Sequence, residues 1–218
     1  MPTKSVNPTS GKKSKDAVIH SALKLFNMSG YDGVSVRAIA SDAGVNIALV
    51  SYYFGGKQGL LEHLMAAFFE GYLSTLEKSE KDSKDQNSPV ERLTIIAEQL
   101  IRYQQRYFYL SRFVHREMTL DNQLVRELMS SYLVKEKFLF ERIFKQVLSN
   151  SQMNPLQAEF VAIEYRDMII MPFLQPQYLR EVYFMQPSEH SFLIQYTRHI
   201  HDWACRLFTH EKKIYKNT

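Results

Sequence analysis

The 218-residue chain has a single cysteine, 8 glycines and 7 prolines, and each scarcity closes off a class of protein. One cysteine cannot form an internal disulfide, and no Cys/His cluster has the spacing of a structural zinc site. A reducing compartment follows as the expectation, with no metal and no cofactor. Glycine and proline together fall well below the roughly 12 per hundred residues of average usage, which leaves little material for the turns of an all-β sandwich or barrel. Long apolar runs are also missing. The longest, Met168-Ile-Ile-Met-Pro-Phe-Leu174, is far short of the ~20 residues of a bilayer-spanning helix. At the amino terminus Lys4, Lys12, Lys13 and Lys15 precede Ala17 to Phe26, but His20 and Lys24 interrupt that stretch, so a secretory signal lacks its apolar centre. The expected location is cytoplasmic, on the chromosome, with no membrane contact.

What is present is positive charge in one place. Residues 1–60 contain seven basic and three acidic side chains, which accounts for the entire net charge of +4. A small basic unit on a neutral larger one suits a nucleic-acid-binding head on an apolar body, and a solvated basic tail is the plainer alternative.

Residues 1–12 are polar and read as a disordered basic arm. From Ala17 the apolar residues Val18, Ala22, Leu25 and Phe26 recur at helical spacing up to Gly30. Ser35 is placed to cap a short helix from Val36 to Ala43, and Gly44 closes it. Asn46 is placed to cap another from Ile47 to Tyr53, after the turn Gly44-Val-Asn46. Two short helices joined by a Gly-containing turn form a helix-turn-helix. A fourth helix is expected from Lys57 to about Lys78, after Gly55-Gly56, followed by a polar linker, Glu77 to Asn87. Further helices are expected at about 89–105, 107–117, 121–149 with Asp121 as cap, 155–172 with Asn154 as cap, 177–184 and 189–210. The fold class is all-α, divided as arm 1–12, helix-turn-helix domain 13–56 and helical regulatory and dimerisation domain 57–218.

The second helix of the pair carries Ala48, Leu49, Ser51, Tyr52 and Tyr53, small and hydroxyl-bearing groups suited to phosphates, base edges and thymine methyls in a major groove. A cation at a helix amino terminus opposes the macrodipole, so Lys57 after Gly55-Gly56 suggests a bound phosphate. Ser35, Val36, Arg37 and Asn46 complete the candidate DNA-binding set.

Ser35-Val-Arg-Ala-Ile-Ala-Ser-Asp-Ala-Gly-Val-Asn46 and Val50-Ser-Tyr-Tyr-Phe-Gly-Gly-Lys-Gln-Gly-Leu-Leu61 resemble the DNA-binding head of TetR-family regulators. Ile47 and Ser51 depart from the basic residue and tyrosine common there. The resemblance implies a homodimer on a near-palindromic double-stranded site, with the last two long helices of each subunit forming a four-helix bundle. Three body segments, Arg112 to Leu120, Tyr132 to Phe138 and Met171 to Val182 with Met185-Gln-Pro187, are similar to a branch of the family that couples DNA binding to control of the division ring built by tubulin-like FtsZ. FtsZ is thereby an implied partner. A ligand-responsive repressor is the alternative function.

Arg102/Arg106 and Arg112/Arg116 stand four apart and share helix faces. They form either a solvated face or a surface for an acidic protein partner, dispensable for DNA. Tyr103, Tyr107, Phe108, Tyr109, Phe113 and Met118 are either core or the lining of a small-molecule pocket. Phe192, Tyr196, Ile200, Trp203 and Leu207 make one stripe, either core or dimer contact, with dimer contact favoured because the family uses this element. His199 and His201 are two apart and do not face one metal, and no phosphate loop, nucleophile elbow or metalloprotease motif occurs. Cys205 reads as a packing residue. No enzyme is expected.

Overall fold

The computed structural model describes residues 8–214 except 87, 121, 150 and 152, without the side chains of 8–10 and 210–214. The apolar stripe of α1 (Pro8–Ser29) buries Val18, Ala22 and Phe26, and the helix stops where Gly30 takes φ +76°. It starts earlier than expected: residues 8–12 of the supposed arm are helical, and residues 1–7 lie outside the described residues. Pro8 sits in the first turn, where its missing N–H is no loss, and a nucleated helix extends into polar residues cheaply.

Both sequence-read caps are in place. Ser35 Oγ accepts from Ala38 N at 3.1 Å to start α2 (Val36–Asp42), and Asn46 Oδ1 accepts from Ala48 N at 2.9 Å to start α3 (Ile47–Phe54). The body follows as α4 (Lys57–Asp82), α5 (Pro89–Arg106), α6 (Phe108–Thr119), α7 (Gln123–Val147), α8 (Pro155–Leu174), α9 (Pro176–Tyr183) and α10 (His190–Ile214). The fold is all-α, with no strand among the described residues. Helix α5 is central: it packs on α4 and α10 and buries Leu93, Ile96, Leu100 and Ile101. None of the described helices is long and apolar enough to cross a membrane.

Three further boundaries differ from the sequence expectation, two of them because a distant residue intervenes. The expected linker from Glu77 is helical as far as Asp82, since Arg142 of α7 holds the buried carboxylate of Glu80 and Lys135 reaches Glu77 at 3.0 Å. The cap of α7 is Asn122, whose Oδ1 accepts from Leu124 N at 2.9 Å; Asp121 lies outside the described residues. Helix α8 runs through Pro172 to Leu174. A proline inside a helix frees the carbonyl four residues earlier, and here Tyr196 Oη donates to that carbonyl, Met168 O, at 2.8 Å.

The body interior is polar in places. Fully buried Gln104 donates from Nε2 to Ile169 O at 3.1 Å, so its Oε1 accepts from His115 Nε2 at 2.6 Å. His115 is 4% exposed, and burial, helped by the charge of Arg166, pushes its pKa down from 6.5 to about 3. The unfolded chain takes up this proton below about pH 6.5, whereas the folded chain refuses it until about pH 3. Stability from this group is therefore complete above the upper value and lost on acidification, by about 1.4 kcal/mol per pH unit. His115→Gln, which keeps a donor and does not titrate, is expected to flatten the pH dependence of the urea midpoint between those limits by that slope.

Candidate nucleic-acid interface

Helix α3 is pinned on one face and open on the other. Val50 and Phe54 are buried, while Ile47, Ala48, Ser51 and Tyr52 are exposed, Tyr52 to 80%. Gly55 ends the helix at φ +73°, a conformation that costs other residues energy. Two turns of chain then meet closely: a Cβ on Gly59 would collide with the carbonyl oxygen of Phe54, so glycine is required for α4 to start so near the end of α3. Helix α3 is thus held at its start by the Asn46 cap and at its end by α4. Fixed ends and an exposed edge of small, hydroxyl and aromatic groups are what a helix entering a major groove needs.

The remaining candidates occupy different positions. Ser35 and Asn46 are exposed but spend their side-chain oxygens on caps, Arg37 is exposed, and Val36, Leu49 and Tyr53 are half-buried. Lys57 corrects the phosphate argument. Its Nζ donates to Asp32 O at 3.4 Å and stands 4.3 Å from the centre of the Tyr31 ring. The cost of a cation at this helix start is offset within the protein by a carbonyl and an aromatic face, so the residue's position does not by itself require an anion.

Residues 18–64, which span this whole arrangement, match the model of the bacterial regulatory proteins of the tetR family. The chain is 41% identical over 195 residues to the Probable HTH-type transcriptional regulator YttP of Bacillus subtilis, covering 89% of this chain and 94% of that protein. The chain belongs to the TetR family. Its fold is that of the TetR-family regulator PfmR from Thermus thermophilus, with a TM-score of 0.67 at 17% identity over 87% of this chain and 97% of that one. AibR, solved in complex with isovaleryl coenzyme A and operator DNA, superposes with a TM-score of 0.64 at 18% identity over 86% and 96% of the two chains. This TetR-family chain is accordingly a DNA-binding transcriptional regulator and not an enzyme.

Below the TetR head, the structure separates the four arginines that the sequence placed on one kind of surface. Arg102 pairs with Glu98 at 2.5 Å and Arg106 lies 5.5 Å from the Tyr107 ring, both along the α4–α5 groove. Arg112 and Arg116 instead face α1. Arg116 donates to Phe26 O at 2.6 Å and to Asn27 O at 3.4 Å, and pairs with buried Glu117 at 3.0 Å. It holds the carboxyl end of α1 against α6, and it is a joint between head and body instead of a free contact for a partner. Asn27 reinforces the joint by donating to Tyr109 O at 2.9 Å, and Phe26 stacks on Phe113 with ring centres 5.2 Å apart. Sequence reading missed this joint, because Arg116 and Phe26 are 90 residues apart; the one available signal was a cationic side chain suited to helix-end carbonyls.

The stripe on α10 is also reassigned. Ile200 is fully buried within one subunit and Phe192 is 7% exposed; Tyr196 is tied to Met168 O, and Trp203 donates to Glu164 at 2.9 Å and stacks on Tyr165. Leu207 is half-buried on the same face. Phe192 and Ile200 are thus spent within the subunit itself, Tyr196 and Trp203 pack against its core with part of each ring exposed, and only the half-buried members of the stripe keep surface for a second copy. The aromatic group likewise divides. Phe113 is core, and Tyr103 packs on Phe68 and donates to Phe68 O at 2.9 Å. Tyr107, Phe108 and Tyr109 border a cleft of about 330 Å³ with Ile19 and His63, and Met118 packs half-buried against the core.

Proposed function

We propose that this TetR-family regulator binds a near-palindromic duplex site as a homodimer and acts through its body on the division protein FtsZ. The open edge of α3, Ala48, Ser51 and Tyr52, supports the first part: it is exposed and rigidly mounted. Dimerisation is assigned to the outer faces of the last two long helices. Leu156, Phe160 and Ile163 follow one another at four- and three-residue steps on α8 and are 58%, 61% and 53% exposed, and Ile194 of α10 is 49% exposed. Half-sites then fall in successive major grooves, about 10 base pairs apart. The resemblance read from the segments at 112–120, 132–138, 171–182 and 185–187 to the division regulator RefZ is what supports the second part.

A ligand-responsive repressor is the second reading. It is favoured by the cleft of about 340 Å³ between α7 and α8, where apolar Leu133, Phe140 and Ile163 surround the Glu136–Arg166 pair, and by the acyl coenzyme A held in AibR. Genome-wide mapping of bound DNA, paired with cell length on overproduction, separates the two. A few sites clustered by chromosome position with altered cell length support the division role; promoter sites with ligand-dependent release and normal length support the repressor.

The DNA contacts have their own test. Lys57→Ala separates a phosphate contact from a purely internal role: a phosphate contact predicts weaker binding to every duplex sequence and a salt slope lower by about one, and no change in either confines the ammonium to Asp32 O and the Tyr31 ring. Tyr53→Ala should weaken binding without sequence preference, whereas changes at Ala48 should alter which bases are preferred. Salt-dependent fluorescence anisotropy on matched and scrambled duplexes reads all three.

A further inference from the structure

Where α1 crosses the start of α6, a groove of about 350 Å³ is lined by His20, Leu23, Lys24, Asn27, Met28, Tyr109 and Arg112. Its charges are unbalanced. Lys24 is paired with Asp42 at 2.6 Å, Arg116 with Glu117 and the α1 carbonyls, and Arg180 with Glu181 at 2.9 Å. Arg112, half-buried, has no hydrogen bond and no ion pair among the described residues, and the neighbouring charges that oppose its own are Arg116 and Arg180. On the same wall Asn27 is fixed by its amide hydrogens, which serve Leu23 O and Tyr109 O, and its Oδ1 is buried with no donor among the described residues. Beside these two, Met28 and Tyr109 expose apolar surface, 72% and 64%.

We propose that this groove docks an acidic peptide segment of a protein partner, with a carboxylate on Arg112 and an adjacent apolar side chain against Leu23, Met28 and Tyr109. The inference rests on the reading that the body has a protein partner, and it narrows the four-arginine surface to one site. A guanidinium without a carboxylate calls for an anion with planar, bidentate geometry. A free inorganic anion or a DNA phosphate meets that demand alone. A peptide also brings side-chain carbon for the apolar rim of Leu23, Met28 and Tyr109. Since the groove is walled by α1 on one side and α6 on the other, its occupant touches head and body together.

The test is selection of a random peptide library, displayed on phage, against the full-length chain, followed by anisotropy of the enriched peptides on wild type, Arg112→Gln and Met28→Glu. Enriched sequences are expected to place Asp or Glu beside Leu, Ile or Phe. Arg112→Gln and Met28→Glu are each expected to weaken them about tenfold or more, with thermal unfolding and operator binding unchanged. The proposal is overturned if nothing is enriched, if enriched peptides lack acidic residues, if Arg112→Gln binds them at full strength, or if inorganic phosphate at millimolar concentration displaces them. The division reading fails separately: acidic peptides enriched as expected, together with normal cell length for Arg112→Gln on overproduction, retain the groove and remove FtsZ as its occupant.

Discussion

Replacing Arg116 by alanine is expected to destabilise the protein by about 2–4 kcal/mol, because the change strands the 2%-exposed carboxylate of Glu117 and releases two carbonyls at the end of α1. This is the opposite of what a solvated arginine face or a free partner surface predicts, namely wild-type folding and wild-type DNA binding. Operator affinity should fall as well, although Arg116 sits in the joint between α1 and α6 and not on α3. With the end of α1 released, the two heads of a dimer no longer present a fixed spacing to successive major grooves, and part of the binding free energy goes into restoring it. Urea unfolding and anisotropy on the same duplex measure both effects. Arg116→Ala combined with Glu117→Gln should recover part of the stability, because the stranded charge is gone, while the α1 carbonyls remain without their donor.

The second large effect distinguishes the core from the subunit interface. Ile200→Glu places a charge at a fully buried position on α10, and the expected cost, about 4 kcal/mol or more, is enough to abolish folding of many domains. Ile163→Glu alters a side chain of α8 that is 53% exposed in the single subunit. That variant should fold normally, sediment as a monomer and lose most operator affinity, since one head reads one half-site. A dimer that survives Ile163→Glu, Phe160→Asp and Leu156→Glu alike moves the interface off α8.

These two experiments fall where sequence reading was weakest. A helical stripe such as Phe192, Tyr196, Ile200, Trp203 and Leu207 is apolar for the same reason whether it meets its own core or a second copy. Periodicity reports that a face is buried and not what buries it. The same ambiguity affected the arginines: four-residue spacing puts two cations on one face, and the partners of Arg102 and Arg106, Glu98 and the Tyr107 ring, are near neighbours in the chain, but the α1 carbonyls that occupy Arg116 are brought there by packing.

The sequence by itself determined what is settled within about one helical turn. Ser35, Asn46, Ser88 and Asn154 cap the helices that follow them, and Pro89 and Pro155 open two of those helices. Gly30 and Gly55 close helices in the left-handed conformation, and the helix-turn-helix with its exposed α3 edge was legible because capping, turn residues and apolar period act locally and agreed. Tertiary structure alone decided the rest. It extended α4 through its polar end by pairing Glu80 with Arg142, carried α8 past Pro172 by giving Met168 O the Tyr196 hydroxyl, and turned Arg116 into a joint on the α1 carbonyls. In each case the deciding energy is the satisfaction of a charge or carbonyl by a group tens of residues away, and the chain's linear order carries no record of that proximity.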